Sequence, residues 1–338
     1  MIKQLRSYLP GLLLSVVIAF IALYLSSITA QAIIGSGVYA LFVGMILHPL
    51  VKRFAFFNKG ISFSQKRLLR LAIIGMGVTL GLKEVLAIGA FSLVVMLFTL
   101  ATAFGGGLLL GKVLKMPWRQ SALISAGTGI CGASAIAALA PVVNAKNEDI
   151  AYALSATFIF DVLMVLLFPI MGRLLQMSDI GYGLWTGTAV NDTSSVLAAG
   201  YAFSEAAGSF AIVVKLSRTL SIVPIVFLFS LFEMRSQAKA SGVKQKSNFS
   251  VSSVFPYFVL LFFAVVVLNS LKLIPSFLVH PISVGGKFAM LVALGSIGLV
   301  TDAKHLVRSG LKPMFHGFVI SAAVVIVSYT VQLFLNQI

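Results

Sequence analysis

The stretch Gly127-Thr128-Gly129-Ile130-Cys131-Gly132-Ala133-Ser134-Ala135-Ile136 aligns without a gap on Gly187-Thr188-Ala189-Val190-Asn191-Asp192-Thr193-Ser194-Ser195-Val196. Both lie inside apolar runs, and both gather Gly, Ser and Thr at their centre. In a membrane, small residues of this kind have two explanations. One is close packing, where small side chains let helix backbones approach; Gly105, Gly106, Gly107 and Gly111 are read that way. The other is an interrupted helix, whose unwound backbone and half-helix ends coordinate a solute at mid-membrane. Three glycines between 127 and 132, with Thr128 and Ser134 beside them, favour interruption. Discontinuous helices are therefore expected near 127–134 and 188–195. No Gly-Lys-Ser/Thr follows the glycines, which excludes a P-loop.

The membrane setting comes from composition. Of 338 residues, 59% are hydrophobic and 10% charged, against roughly 45–50% and roughly 25% in soluble domains. Mean hydropathy is +1.05, so there is too little polar surface to coat a water-soluble globule. Eleven apolar runs, at 9–29, 33–51, 68–82, 85–111, 120–143, 150–172, 181–201, 210–232, 253–271, 284–300 and 313–336, approach the ~20 residues that span a bilayer core. They show no period-two alternation, which selects helices over barrel strands. The expectation is an all-α membrane protein of about 11 transmembrane helices, a single polytopic domain over 1–338 with no soluble domain. The first run is read as a retained helix: it is too long for a signal peptide, and Ile28 suits a cleavage site poorly.

The net charge is +16, from 25 Lys and Arg against 9 Asp and Glu. A folded basic surface would suggest nucleic acid, but these cations sit in short connections, where they signal topology. With the N-terminus inside, Lys83, Lys146, Lys272 and Lys287 fall in outer loops, and Lys215 and Arg218 lie within an apolar run. The other 19 are internal. This bias predicts a multi-pass membrane protein with a cytoplasmic N-terminus, an external C-terminus, the lipid bilayer as partner and no nucleic acid. The basic connections 52–67 and 233–252 carry no motif. One cysteine and four histidines scattered at run ends predict no disulfide, metal site or cofactor. By the same count the two opening stretches run parallel, so they are not simple inverted copies unless one fails to cross. A weaker match relates 75–83 to 295–304, in runs of opposite direction.

Four ionisable residues lie at membrane depth, where each costs at least ~2.5–3.5 kcal/mol to insert: Asp161, Asp192, Lys215 and Arg218. Lys215 and Arg218, three apart, share a helix face, about 8 and 12 Å in from the outer end at ~1.5 Å per residue. Two readings stand. The charges pair to fix helix packing, or Asp192 or Asp161 exchanges a proton while Lys215 and Arg218 hold an anion, or hold the acid's charge when the site is empty, arginine's planar fork suiting sulfate or carboxylate. Asp192, among Asn191, Thr193, Ser194 and Ser195, is the stronger coupling candidate; Asp161 stands among apolar neighbours and is read as a packing partner. The predicted substrate site is Thr128, Gly129, Gly132, Ser134, Asn191, Thr193, Ser194, Ser195, Lys215 and Arg218. Trp118 and Trp185 are assigned to an interfacial belt.

The run Gly129 to Ala138, the later Val196-Leu197-Ala198-Ala199-Gly200, and Val214-Lys215-Leu216-Ser217-Arg218 together resemble the YeiH family of bacterial inner-membrane proteins, along most of the chain. The resemblance implies a sulfate exporter within the cation/proton antiporter and bile-acid symporter group. It also implies inverted repeats with crossed discontinuous helices and a core that moves against a scaffold. Many members carry His-Glu where this chain has Asn191-Asp192, and Ala-Gln where it has Ser194-Ser195; the acid persists and the histidine does not. Asn191-Asp192 is also similar to the Asn-Asp pair of electroneutral sodium/proton antiporters. The expected function is secondary active transport of a small anion, sulfate or a related sulfur oxyanion, by proton-coupled alternating access. The alternatives are a sodium/proton antiporter with Asp192 as ion site, or a non-transporting sensor or scaffold. An enzyme using Cys131 is disfavoured for want of a histidine at span depth to activate the thiol. Homo-oligomerisation stays open.

Overall fold

The computed structural model describes residues 2–28, 36–241, 257–301 and 310–338. Among these residues the chain is helical with short connections and has no strand, as an all-α membrane protein requires. Lys304, Arg308 and the 302–304 end of the weaker internal match lie outside the described residues. In chain order the helices are α1 (Ile2–Ile28), α2 (Ser36–Val51), α3 (Asn58–Phe63), α4 (Leu69–Met76), α5 (Leu82–Ala101), α6 (Gly107–Val113), α7 (Trp118–Ala126), α8 (Ala133–Leu139), α9 (Asn147–Leu174) and α10 (Asp179–Ala189). These are followed by α11 (Thr193–Phe203), α12 (Glu205–Leu220), α13 (Ile222–Ser241), α14 (Tyr257–Ser270), α15 (Ser276–Val300) and α16 (Leu311–Phe334). Six described stretches are long and apolar enough to cross a membrane: Ser7–Ile28, Leu82–Val113, Glu148–Leu174, Glu205–Glu233, Ser276–Val300 and Leu311–Phe334. The chain is a multi-pass membrane protein.

The expected apolar runs are mainly helical where described, with an extended break at Leu80 and Gly81 in 68–82, but 120–143 and 181–201 do not run from one end of the bundle to the other. Each is a hairpin. At the mouth of the first, the Glu233 carboxylate accepts from Arg119 at the start of α7 (3.2 Å) and from Asn144 just beyond α8 (3.5 Å). At the mouth of the second, Ser204 beyond α11 donates to Asp179 at the start of α10 (2.6 Å), and the rings of Tyr182 and Phe203 stack at 4.0 Å. Helix α16 gives their directions. Ser121 and Thr128 of the first hairpin bond His316 (3.0 Å) and Ser321 (3.3 Å), so α7 runs with α16. Asn191 of the second also reaches Ser321 (3.4 Å), while Gly181 lies against Ile338, so α10 runs against it. The hairpins enter from opposite ends and their tips meet at mid-bundle.

This removes the parity conflict of the two aligned stretches. With neither hairpin crossing, they are antiparallel copies, as an inverted repeat demands. Helix α9 between them crosses parallel to α16: Ala156 lies against Gly317, and Phe168 stacks on Trp185, whose indole N–H donates to Val325. Charge counting is blind to this change. Turning both hairpins back moves Lys146 to the inner side and Arg173 to the outer side, so the division of 19 to four is unaltered.

Around the hairpins pack α5, α6, α9, α12, α13 and α16; a second group forms from α1, α2, α3, α4, α14 and α15. Small residues set the closeness of both. A methyl group on Gly44 of α2 would strike backbone of Gly295 and Gly298 in α15, and one on Gly107 would strike Ser125. Gly107 and Gly111 thus act in packing, as expected. The groups meet where Ala198 of α11 lies under Gly37 and where Lys287 pairs with Glu205.

In a Cys131→Ala background, single cysteines at positions 119 and 144 are expected to react with an impermeant thiol reagent from one face of the membrane, and those at 179 and 204 from the other. Opposite sidedness for 119 and 144 sinks the hairpin assignment.

Candidate functional site

A helix that stops in hydrocarbon leaves its last carbonyls and first amides without partners, and its dipole uncompensated. The first hairpin stops through glycine. A wide π turn, Gly127–Cys131, leads to Gly132 at φ +62, a conformation that side chains with a Cβ rarely take. The second stops at Val190, where the backbone becomes extended before Asp192 caps α11. A Cβ on Gly132 would lie 3.0 Å from Asp192 Oδ1, so one break is packed against the other.

Two fully buried cations close the carbonyl ends. Lys215 Nζ donates to Ile130 O (2.8 Å) and Val190 O (2.9 Å). Arg218 donates through Nε to Gly129 O (2.6 Å) and through Nη2 to Thr128 O (2.8 Å). Ile130 and Val190 are equivalent positions in the gap-free alignment, so Lys215 lies close to the pseudo-two-fold axis of the hairpins. Helix α12 begins at Glu205, which sets Lys215 about 15 Å deep at ~1.5 Å per residue, deeper than the sequence reading put it.

Carboxylates serve the amide end of α11. Asp161 Oδ1 accepts from the backbone N–H of Asn191 (2.9 Å) and of Asp192 (3.2 Å), and Asp192 Oδ2 accepts from the backbone N–H of Ser194 (2.9 Å) and from its hydroxyl. Asp161 is therefore no solitary packing residue. It reaches from α9 to hold a helix start whose N–H donors have too few acceptors of their own, a link across 30 residues that its apolar neighbours could not reveal.

The ten residues predicted to bind substrate do converge on the breaks, with different exposures. Thr128, Gly129, Gly132, Asn191, Ser194, Ser195, Lys215 and Arg218 are buried; Thr193 is half-buried and Ser134 exposed. Asp192 is half-buried, so Asp192, Thr193 and Ser134 are the members of this set that keep accessible surface. Lys215 and Arg218 face backbone carbonyls instead of an open cavity.

Sequence reasoning missed α16 as the third wall. His316, Ser321, Ser328 and Gln332 are fully buried there, and Ser321 joins Thr128 of one hairpin to Asn191 of the other. Their helical spacing was the available signal, hidden by the apolar residues between. His316 is thus a core residue, bonded to Ser121 and to Gly107 O (2.7 Å), and not an end-of-run histidine. Trp185 is 1% exposed and leaves the interfacial belt for the core, because its ring stacks on Phe168. Trp118 keeps a surface position beside Phe232 and Arg119. Among the described residues no group of three or more His, Cys, Asp or Glu is placed to hold a metal.

The family model described as "Conserved hypothetical protein 698" matches residues 10–317, which takes in both hairpins and α16 only as far as Gly317. The chain belongs to this UPF0324 membrane protein family. A UPF0324 membrane protein of Clostridium tetani (strain Massachusetts / E88) is 53% identical over 98% of this chain and 99% of its own length. UPF0324 membrane protein SAG1125 of Streptococcus agalactiae is 36% identical over 98% of both chains. UPF0324 membrane protein spr0034 of Streptococcus pneumoniae is 35% identical over 95% of this chain and 96% of its own.

Replacing Lys215 by Met in this UPF0324 protein is expected to strip two buried carbonyls of their donor and destabilise the fold by on the order of 3 kcal/mol. Asp192→Asn is expected to stay within about 1 kcal/mol of the parent, since Asn caps helices as well as Asp. Melting temperatures in detergent read both; a Lys215→Met protein as stable as the parent contradicts the assignment.

Proposed function

We propose that this UPF0324 protein is a secondary active transporter that works by alternating access, with Asp192 as the charge that is exchanged. One observation carries the reading. At the paired helix breaks, Lys215, Arg218 and Asp161 are buried and committed to backbone groups, while Asp192 is the ionisable side chain with an accessible edge. A buried break held by charged side chains is costly unless it serves a solute, because an uninterrupted helix satisfies the same backbone without charges. The coupling ion is a proton or sodium. Thr193, Ser134 and Asp192 supply hard oxygen ligands that suit either. The end of the bundle at Leu311 is the cytoplasmic one, in keeping with the 19-to-four cation bias.

A second reading is transport of a small anion such as sulfate. What favours it is Arg218, whose buried Nη1 has no protein partner and remains as a donor beside the breaks. Against it, the other donors of Lys215 and Arg218 described above are directed at carbonyls.

Proteoliposomes loaded with a pH-sensitive dye separate the two readings. A sodium- or proton-gradient-driven pH change, abolished by Asp192→Asn and retained in Cys131→Ala, is the expected outcome. Radiolabelled sulfate flux that is indifferent to Asp192→Asn overturns the ranking, and absence of both fluxes leaves a sensor or scaffold.

A further inference from the structure

At the end of the bundle where α1 begins, far along the chain from the hairpins, α1 and α3 touch backbone to backbone. A Cβ on Gly11 would meet Ile61 N at 2.7 Å, and one on Gly60 would meet Leu12 N at 2.6 Å. Beside this crossing opens a cavity of about 420 Å³. Its wall is aromatic, formed by Tyr8 and Phe63 with ring centroids 5.8 Å apart and edge to face. Its rim carries Lys59, Lys66 and Arg67, with Asn58 and Ser62 adding an amide and a hydroxyl. Lys66 and Arg67 lie in a π turn, Ser64–Leu68, a wide turn that often marks functional sites.

Among the described residues that line this cavity, nothing balances its charge. None of its lining residues is acidic. The first Asp or Glu of the whole chain is Glu84, and α15, which packs on α3 and on the π turn, contains none. Three cations and two neutral hydrogen-bonding groups around one opening fit a phosphate. Apolar surface continues from it: Leu9, Leu13, Val17 and Phe20 of α1 are each at least half exposed, on one face beginning next to Tyr8. Spacing of four, four and three residues makes them a stripe along the helix. A phosphate site at the head of a lipid-facing apolar stripe has the layout of an anionic phospholipid, headgroup in the cavity and acyl chain along α1.

We propose that Lys59, Lys66 and Arg67, with Asn58 and Ser62, bind the phosphodiester headgroup of an anionic phospholipid. The site is independent of the helix breaks. It fixes the α1–α3 corner of the second helix group at the membrane surface.

The test uses the full chain purified in detergent, titrated with phosphatidylglycerol, phosphatidylcholine or glycerol phosphate, and read by native mass spectrometry and melting temperature. Phosphatidylglycerol is expected to bind and stabilise and phosphatidylcholine not to. The triple variant Lys59→Gln, Lys66→Gln, Arg67→Gln is expected to bind phosphatidylglycerol about a hundredfold more weakly. Equal binding of phosphatidylglycerol by parent and triple variant, or equal binding of the two lipids by the parent, overturns the proposal. Equal stabilisation by glycerol phosphate also overturns it, in favour of a free-phosphate site. Should the triple variant fail to fold, exposed Ser62→Glu gives the same decision: weakened phosphatidylglycerol binding supports the site, and unchanged binding refutes it.

Discussion

Backbone that ends a helix inside hydrocarbon must find hydrogen-bond partners within the protein, since the surrounding lipid has none to offer. Here that demand is met at two breaks at once. Lys215 bonds Ile130 and Val190 together, so a single ammonium holds the tips of two hairpins that arrive from opposite ends of the bundle. Arg218 extends the same service to Gly129 and Thr128, and Asp161 extends it to the start of α11. The burial of two cations, which on its own is expensive, is offset by carbonyls that would otherwise be unpartnered and by the negative dipole ends from which they project.

The rest of the molecule is arranged to keep this junction in place. Helix α12 carries both cations on one face, and its close contact with α10 depends on glycines: a methyl on Gly183 or Gly187 would collide with Ala207, Ala211 or Val214. Helix α16 seals the opposite side, with Ser321 between the hairpins and Trp185 anchored to its backbone. A side chain at Gly132 would be opposed twice, by the positive φ and by the nearness of Asp192. Asp192 and Thr193 then stand, half-buried, at the edge of an otherwise closed polar cluster.

Much of this was legible in the chain, and the limits have physical causes. Helical class and membrane setting followed from long apolar runs. The interruptions near 127–134 and 188–195 followed from clustered small residues, and the convergence of Asp192, Lys215 and Arg218 on them followed from the cost of charge at depth. The reversal of the two hairpins was invisible because Lys146 and Arg173 change sides together. The role of Asp161 was invisible because a carboxylate that caps a distant helix leaves no mark on its own neighbours. Trp185 was misassigned because composition cannot tell a ring at the lipid surface from one stacked on Phe168.

The amino-acid sequence by itself determined which segments leave water, where two helices stop, and that four charged side chains must find partners in the interior; each is a local balance of transfer free energy and backbone geometry. Tertiary structure alone decided which partners they find. Whether a broken helix continues across the membrane or turns back depends on contacts such as those of Glu233 with Arg119 and Asn144. Those contacts join residues about 90 to 114 positions apart, and no local energy term encodes them.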